Sequence, residues 1–132
     1  MGKSREARSR CPIATSLDIL GDRWSLVIVR DMLVGKRTFN DFLASREQIT
    51  TSVLADRLGQ LEQAGLVERV AYRQRPQRFE YRLTRAGRGL LPLLQELCRW
   101  ADEHLGGVME PPMGFMTFSL DRPLPNEAPA AR

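Results

Sequence analysis

Arginine is concentrated in one short stretch of this 132-residue chain. Residues 67–88 hold seven arginines against two glutamates, a net charge of +5, whereas the whole chain carries +4. The seven are Arg69, Arg73, Arg75, Arg78, Arg82, Arg85 and Arg88. A guanidinium group offers several N–H donors in a rigid fork that matches the oxygens of a phosphate. A total of +4 permits an anionic partner without requiring one, but its location predicts a phosphate-binding surface in the middle of the chain.

Short polar residues form a second group with chemical potential, at the start of a helical pattern. Thr50, Thr51 and Ser52 precede an apolar stripe made of Leu54, Leu58 and Leu61. The opposite face of this helix carries Ser52, Ala55, Asp56, Gly59 and Gln63. Such side chains can approach base edges in a major groove, which predicts a recognition surface made of Thr50, Thr51, Ser52, Ala55 and Asp56. Asp56 is unfavourable near phosphate, but a carboxylate can accept a hydrogen bond from cytosine N4.

Cys11 follows a basic segment and lies where a helix is expected to begin. Both features favour the thiolate, so Cys11 is a candidate redox sensor; the alternative is a small buried hydrophobic residue. Cys98 is interpreted as structural. Two Cys and one His (His104) cannot complete a structural zinc site, and we expect no metal and no cofactor. No acid/base pair accompanies Cys11, so an enzyme is not predicted.

The elements that position these residues follow from periodicity and capping signals. Helices are predicted over 12–20, 23–33 capped by Asp22, a third from an Asn40 cap to about 45, and 50–64. Alternating strands over 66–72 and 78–83 flank a polar turn at 73–77, and a long helix over 85–105 contains Pro92, where a kink or late start is expected. The fold class is therefore mainly α with a small antiparallel β-hairpin, a winged helix-turn-helix.

The hairpin tip is the predicted wing, and it has two interpretations. As a DNA-binding wing it would use Arg73, Gln74, Arg75, Gln77 and Arg78 on phosphates and the minor groove. As a solvated edge its charges would only prevent aggregation, and the protein would be a winged-helix module for protein–protein interaction.

Composition bounds the domain organisation. With 42% apolar and 27% charged residues, the chain is typical of one globular domain. The basic residues 1–10 are followed by no apolar signal segment, and no apolar run could span a bilayer, so a cytoplasmic protein without membrane association is expected. We assign 1–10 as a flexible basic terminus, 11–105 as the domain, and 106–132 as a Pro/Gly-rich tail, partly disordered or packed on a dimer. Its apolar segment 114–120 could pair as a strand or cover an apolar groove.

Taken in order, several short motifs resemble the HxlR family of bacterial winged-helix regulators, which is similar to the MarR type. Cys11-Pro12 and residues 17–24 (LDILGDRW) resemble the opening of that family, and residues 37–42 (RTFNDF) resemble its helix-turn-helix. The recognition helix of the family is resembled by residues 49–54 (ITTSVL) followed by Leu58, Leu61-Glu62 and Gly65-Leu66-Val67. Pro76, Glu80-Tyr81, Leu83-Thr84, Gly87 and Trp100 complete the pattern. The resemblance covers about residues 11–105.

The resemblance implies a homodimer, a local repressor or activator, that binds a near-palindromic operator in double-stranded DNA. It further implies phosphate contacts from Lys36, Arg37 and Asn40, and a dimer interface between the first and last helices through Ile13, Leu17, Leu94, Leu97 and Trp100. Some family members sense oxidants or electrophiles through the cysteine that Cys11 matches, so an oxidant or small-molecule effector is implied. The chain departs from the family at Gly59, where a basic residue is common, and in the tail beyond Gly107.

Overall fold

A computed structural model of the chain describes residues 10–112 and 114–125. Most of the predicted basic terminus 1–10 and the last seven residues of the predicted tail lie outside the described ranges. The elements follow one another as α1 (Pro12–Leu20), α2 (Ser25–Leu33), α3 (Phe39–Leu43), α4 (Thr51–Gln63), β1 (Val67–Gln74), β2 (Gln77–Leu83), α5 (Arg85–Arg88), α6 (Leu91–His104) and a 3₁₀ turn (Phe115–Thr117). This is a mainly helical fold with a two-stranded antiparallel sheet, as the sequence predicts.

Helix α2 lies at the centre of the core. Its Ile28, Val29, Met32 and Leu33 are buried, in agreement with the apolar circumference read from the sequence. The helix begins at Ser25, two residues later than predicted, because the Asp22 carboxylate accepts hydrogen bonds from the backbone N–H groups of Trp24 (2.8 Å) and Ser25 (2.9 Å). Asp22 therefore satisfies the first free donors of α2 from outside the helix.

Helix α3 corrects the prediction for Asn40. The helix cap is Thr38, which accepts from the N–H of Asp41 while the Asp41 carboxylate accepts from the N–H of Thr38 (3.0 Å), a capping box. Asn40 lies inside the short helix and is exposed. A reciprocal pair of hydrogen bonds satisfies two backbone donors, which outweighs the single bond that an Asn40 cap would make.

The β-hairpin is longer, and its turn shorter, than predicted. Arg73 and Gln74 belong to β1 and Gln77 begins β2, so only Arg75 and Pro76 form the turn instead of the five residues 73–77. Val67 pairs with Leu83 at the base of the hairpin, and Gln74 pairs with Gln77 at its tip. The outer edge of β2 is also held, since the N–H of Tyr81 donates to the carbonyl oxygen of Arg37 at 2.7 Å.

The predicted long helix over 85–105 is two helices, and the second begins at Leu91, which confirms the late start expected near Pro92. It breaks at Gly89-Leu90, and Pro92 lies in the first turn of α6, where its missing N–H leaves no hydrogen bond unmade. In α5, a Cβ on Gly87 would clash with the carbonyl oxygen of Leu66, so a glycine is required where this helix packs against the hairpin.

Within the tail, the segment 115–124 packs on the core of its own protomer, whereas residues 106–110 are exposed. Phe115 and Leu124 are buried with α2 and α6, and Gln95 Nε2 donates to the carbonyl oxygens of Phe115 (3.1 Å) and Phe118 (3.0 Å). Of the two alternatives for residues 114–120, covering an apolar groove is therefore observed, with a 3₁₀ turn in place of a strand.

Candidate nucleic-acid interface

Helix α4 presents the predicted recognition surface to solvent. Thr50 caps the helix by accepting from the N–H of Val53 (3.3 Å), while Leu54, Leu58 and Leu61 anchor the inner face in the core. The predicted residues are all exposed: Thr50, Thr51, Ser52, Ala55 and Asp56. Gly59 and Gln63 extend the same exposed face, and a Cβ on Gly59 would meet no atom within 4 Å. The helix offers a surface of short side chains held on a rigid apolar base.

The Asp56 carboxylate is compensated by its neighbours. It lies 3.3 Å from Arg57 Nη1 and accepts a hydrogen bond from Gln60 Nε2 at 3.2 Å. Arg57 Nε in turn lies 3.2 Å from Oδ2 of Asp22, the residue that caps α2. Burial alone would raise the pKa of Asp22, but hydrogen bonds from Ser25 and Trp24, together with Arg57, lower it below its ordinary value. The recognition helix is thus tied to α2 through a carboxylate that remains ionised.

A second set of hydrogen bonds, between Arg30 and Glu47, connects α2 to the turn that precedes the recognition helix. Arg30 donates from Nη1 and Nη2 to the two carboxylate oxygens of Glu47 (2.8 and 3.0 Å), and also to Asp31. The hydrogen bonds from Arg30 lower the pKa of Glu47 to about 2. Ser45 donates to the same Glu47 carboxylate at 2.6 Å, and Gln48 adopts a left-handed backbone with φ of +63°. The sequence pattern gave no indication of the Arg30–Glu47 interaction, because the two residues lie 17 positions apart.

The wing carries the predicted cationic surface. Arg73, Gln74, Arg75, Gln77 and Arg78 are all exposed. Within the described residues, Arg73, Arg75 and Arg78 form no ion pair, whereas Arg82 is bound to the buried Glu80 at 3.1 Å. Further down the hairpin, the Arg69 guanidinium stacks on the Phe79 ring at 4.6 Å. The tip of the hairpin therefore carries three exposed positive charges that no acidic side chain of the described residues compensates.

The predicted phosphate contacts around α3 differ in their surroundings. Asn40 is exposed, and Lys36 lies 3.7 Å from Asp31 with its side chain partly exposed. Arg37 is half-buried, and its Nη2 donates to the carbonyl oxygen of Pro125 in the tail (3.3 Å). The structure therefore binds Arg37 to the tail, while Asn40 and Lys36 remain accessible.

Cys11 and Cys98 have opposite environments. Cys11 is exposed at the N-cap of α1, where the backbone N–H groups of Ala14 and Ile13 lower the pKa of its thiol. Cys98 is partly buried in α6, and burial raises the pKa of its thiol. Of the two thiols, Cys11 is the accessible one and the more readily ionised. No group of three metal-ligating His, Cys, Asp or Glu side chains occurs within residues 10–112 and 114–125.

An apolar surface is exposed on α1 and α6. Ile13 is 71% exposed, Leu17 and Leu97 are about half exposed, and Trp100 is 55% exposed. Leu94 was predicted on this surface but is only 7% exposed and packs inside its own protomer. Exposed aliphatic residues that the prediction did not include extend the surface along α6: Leu93 and Leu105. Exposed apolar residues that recur along one helix in this way are typical of interaction surfaces.

Comparison with known proteins places these features in a family. A family model described as HxlR-like helix-turn-helix matches residues 19–109. An HTH-type transcriptional regulator of Bacillus subtilis, YdeP, is 35% identical over 71% of this chain and 73% of its own length. Rv3095 of Mycobacterium tuberculosis, also named an HTH-type transcriptional regulator, is 40% identical; the match covers 76% of this chain and 63% of that protein, slightly less than two thirds.

Solved structures agree with the fold. The reduced form of the transcriptional regulator YodB from B. subtilis superposes with a TM-score of 0.64 at 31% identity, covering 76% of this chain and 99% of YodB. The redox regulator HypR in its reduced form superposes with a TM-score of 0.67 at 33% identity, covering 73% of this chain and 95% of HypR. YdeP, Rv3095 and YodB are named as transcriptional regulators and HypR as a redox regulator, and none of the four is named as an enzyme. In the described ranges, no helix is both long and apolar enough to cross a bilayer.

Proposed function

This chain belongs to the HxlR-like helix-turn-helix family of transcriptional regulators, and we propose that it binds an operator in duplex DNA as a homodimer. The observation that carries the proposal is the wing tip, where Arg73, Arg75 and Arg78 are exposed without an acidic partner among the described residues. A structural salt bridge would compensate these charges internally. Because these arginines are not neutralised within the protein, they are available to bind an anionic partner, and the phosphates of the DNA backbone are such a partner.

The exposed face of α4 is suited to direct readout. Thr51 and Ser52 lie in the first turn, where short hydroxyl side chains can approach base edges and the helix N-terminus attracts phosphate. The Asp56 carboxylate is held by Arg57 and Gln60, so that its repulsion of the DNA backbone is reduced. We assign base contacts to Thr50, Thr51, Ser52, Ala55 and Asp56, and phosphate contacts to the wing, Lys36 and Asn40.

A homodimer accounts for the exposed apolar surface of α1 and α6. Burying Ile13, Leu17, Leu97 and Trp100 against a second copy would remove them from water. A two-fold dimer places two recognition helices in successive major grooves about 34–36 Å apart, which corresponds to a near-palindromic operator. A regulator of this kind acts where the chromosome is, so we assign it to the bacterial cytoplasm.

We assign oxidant sensing to Cys11. The thiolate at the start of α1 would attack hydrogen peroxide, forming a sulfenic acid and releasing hydroxide. The position is suited to signalling, since α1 also carries Ile13 and Leu17 of the proposed dimer surface. The redox forms of HypR provide a precedent among similar structures for regulation of this type.

The test is a titration of the full chain against the DNA upstream of its own gene at several salt concentrations. If the six wing-tip arginines of a dimer each neutralise one phosphate, log K should fall by roughly 5 per decade of salt. Arg75→Ala removes two contacts per dimer and should flatten the slope by about 1.8. Arg99→Ala is the control for loss of one positive charge, because Arg99 is exposed on α6 and belongs neither to the wing nor to α4. Salt-independent binding, or equal slopes for all three proteins, would leave the wing as a solvated edge.

A further inference from the structure

A cavity of about 270 Å³, widely open to solvent on one side, lies between α2, α6 and the tail. Leu26 and Val27 line it from α2, Leu94 and Cys98 from α6, and Phe115 from the tail. All of these residues are apolar or weakly polar. An engineered apolar cavity of roughly 150 Å³ accepts a benzene ring, so the present volume is suited to two fused rings.

Arg30 is the one charged residue that lines this cavity, and it also holds the turn before the recognition helix. Its guanidinium binds both carboxylate oxygens of Glu47, and Glu47 lies three residues before the helix cap Thr50. The intervening Ile49 is buried, so this turn is fixed to the core as well as to Arg30. A displacement of Arg30 at the cavity wall would therefore change its hydrogen bonds to Glu47 and, through them, the turn that leads into α4.

We propose that the cavity binds a small neutral aromatic molecule, and that its occupancy moves Arg30, loosens Glu47 and weakens DNA binding. The part concerning DNA rests on the function proposed above. The binding site and its effect on the Glu47 turn stand independently of that function.

We expect a neutral ligand because the positive charge of Arg30 is already compensated within the protein. Its guanidinium already donates to two carboxylates, Asp31 and Glu47, and its charge is compensated. A charged ligand would lose its hydration in an apolar cavity without gaining an unpaired partner. A neutral ring system loses little hydration and gains contact with the aliphatic and aromatic walls.

The competing occupant is a second copy of the chain. Leu97 lines the cavity and also belongs to the proposed dimer surface, so a partner helix could cover the opening. The cavity nevertheless has its own walls on three sides, from α2, α6 and the tail, before any partner is added. If only the monomer binds an aromatic probe, the cavity is filled by the second copy and the proposal is wrong.

The first experiment measures binding of 2-naphthol by calorimetry to the full chain in the oligomeric state that it adopts in solution, with 2-naphthoate as the charged analogue. We expect 2-naphthol to bind at least tenfold more tightly than 2-naphthoate. Val27→Phe fills the cavity and should lower the affinity for 2-naphthol at least tenfold. Cys98→Leu fills it from the opposite wall if Val27→Phe does not fold, and Val108→Phe, which adds the same ring outside this cavity, should leave the affinity unchanged.

The second experiment follows the backbone amides of residues 45–50 by hydrogen exchange. Exchange should accelerate when 2-naphthol is added, and DNA affinity should fall about fivefold or more, a typical coupling between two sites. Glu47→Gln weakens the interaction between Arg30 and residue 47. This variant should therefore still bind 2-naphthol, but its DNA affinity should no longer fall when 2-naphthol is added. If 2-naphthol does not bind, if both filling variants bind it normally, or if exchange at 45–50 does not respond, the inference is overturned. Absence of DNA binding alone would instead overturn the proposed function.

Discussion

Arg73 and Arg78 lie directly opposite each other across the two strands of the wing, so that two like charges face one another. Like charges in this position destabilise a hairpin. Neither residue has an ion pair among the residues described, and both are exposed. The arrangement is unfavourable for the isolated protein and favourable for a protein that places the wing against phosphate.

This relationship predicts opposite effects on stability and on DNA binding. Arg78→Glu replaces repulsion with an opposite-charge pair and should raise the free energy of unfolding by about 0.2–1 kcal/mol. The same change should lower DNA affinity at least tenfold, since a phosphate contact becomes a repulsion. Urea denaturation and a salt-dependent DNA titration measure the two effects. Arg78→Gln is the control for loss of charge, and a parallel change in both quantities would contradict the interpretation.

The Glu47 carboxylate predicts a specific pH dependence of stability. Its pKa is lowered from 4.5 to about 2 by Arg30, so it stabilises the folded state above pH 4.5 and loses that contribution as the pH falls towards 2. Glu47→Gln should therefore be less stable than the wild type at pH 7, and the difference should shrink below pH 4.5. Chemical denaturation at pH 7, 4.5 and 3 checks this. Glu62→Gln, at an exposed position of α4, should show no such convergence.

Gly59 is predicted to be dispensable for the fold. A Cβ there would meet nothing within 4 Å, so Gly59→Ala should stabilise α4 by about 1 kcal/mol through helix propensity. Gly59→Arg places a cation on the exposed face of α4 and should steepen the salt dependence of DNA binding by about 1.8 for a dimer. Thermal unfolding and the salt titration test the two variants. A destabilised Gly59→Ala would show that the glycine has a packing role.

The two leucines at positions 94 and 97 should separate folding from assembly. Leu94 is buried in the protomer, so Leu94→Ala should cost about 2–5 kcal/mol of unfolding free energy. Leu97 is about half exposed on the proposed dimer surface, so Leu97→Glu should leave the circular dichroism spectrum intact and convert dimer to monomer. Sedimentation equilibrium distinguishes the two outcomes. A dimeric Leu97→Glu would place the interface elsewhere.

Cys11 and Cys98 should react at different rates. Cys11 is exposed and its pKa is lowered, whereas Cys98 is partly buried and its pKa is raised, so iodoacetamide at pH 7 should label Cys11 first. Mass spectrometry of quenched samples gives both rates. Cys11→Ser should retain DNA binding and lose its response to hydrogen peroxide. Release of DNA by peroxide in that variant would assign sensing to another residue.

Local patterns in the sequence predicted most of the elements and the exposure of the proposed DNA-binding residues. The stripe of Leu54, Leu58 and Leu61 placed α4 within one residue at each end, and the charge distribution located the wing. Caps were harder to predict, because Thr38 and Asn40 are both good capping residues and only the reciprocal bond with Asp41 decides between them. The interactions that connect α2 to the recognition helix could not be predicted, because they join residues that are far apart in sequence and come together only in the folded protein. For the same reason, periodicity placed Leu94 in the correct helix without showing which surface it buries.

The tail has a consequence for how the protein is made. Phe115 and Leu124 complete the core, yet both are synthesised after the segment 19–109 that matches the family. A nascent chain that has reached α6 holds the whole helix-turn-helix but still exposes the apolar face that these residues will cover. We therefore expect the interval between the synthesis of α6 and that of the tail to be the most vulnerable to aggregation and proteolysis. A shortened chain ending near residue 109 should accumulate poorly in cells although its recognition helix and wing are intact.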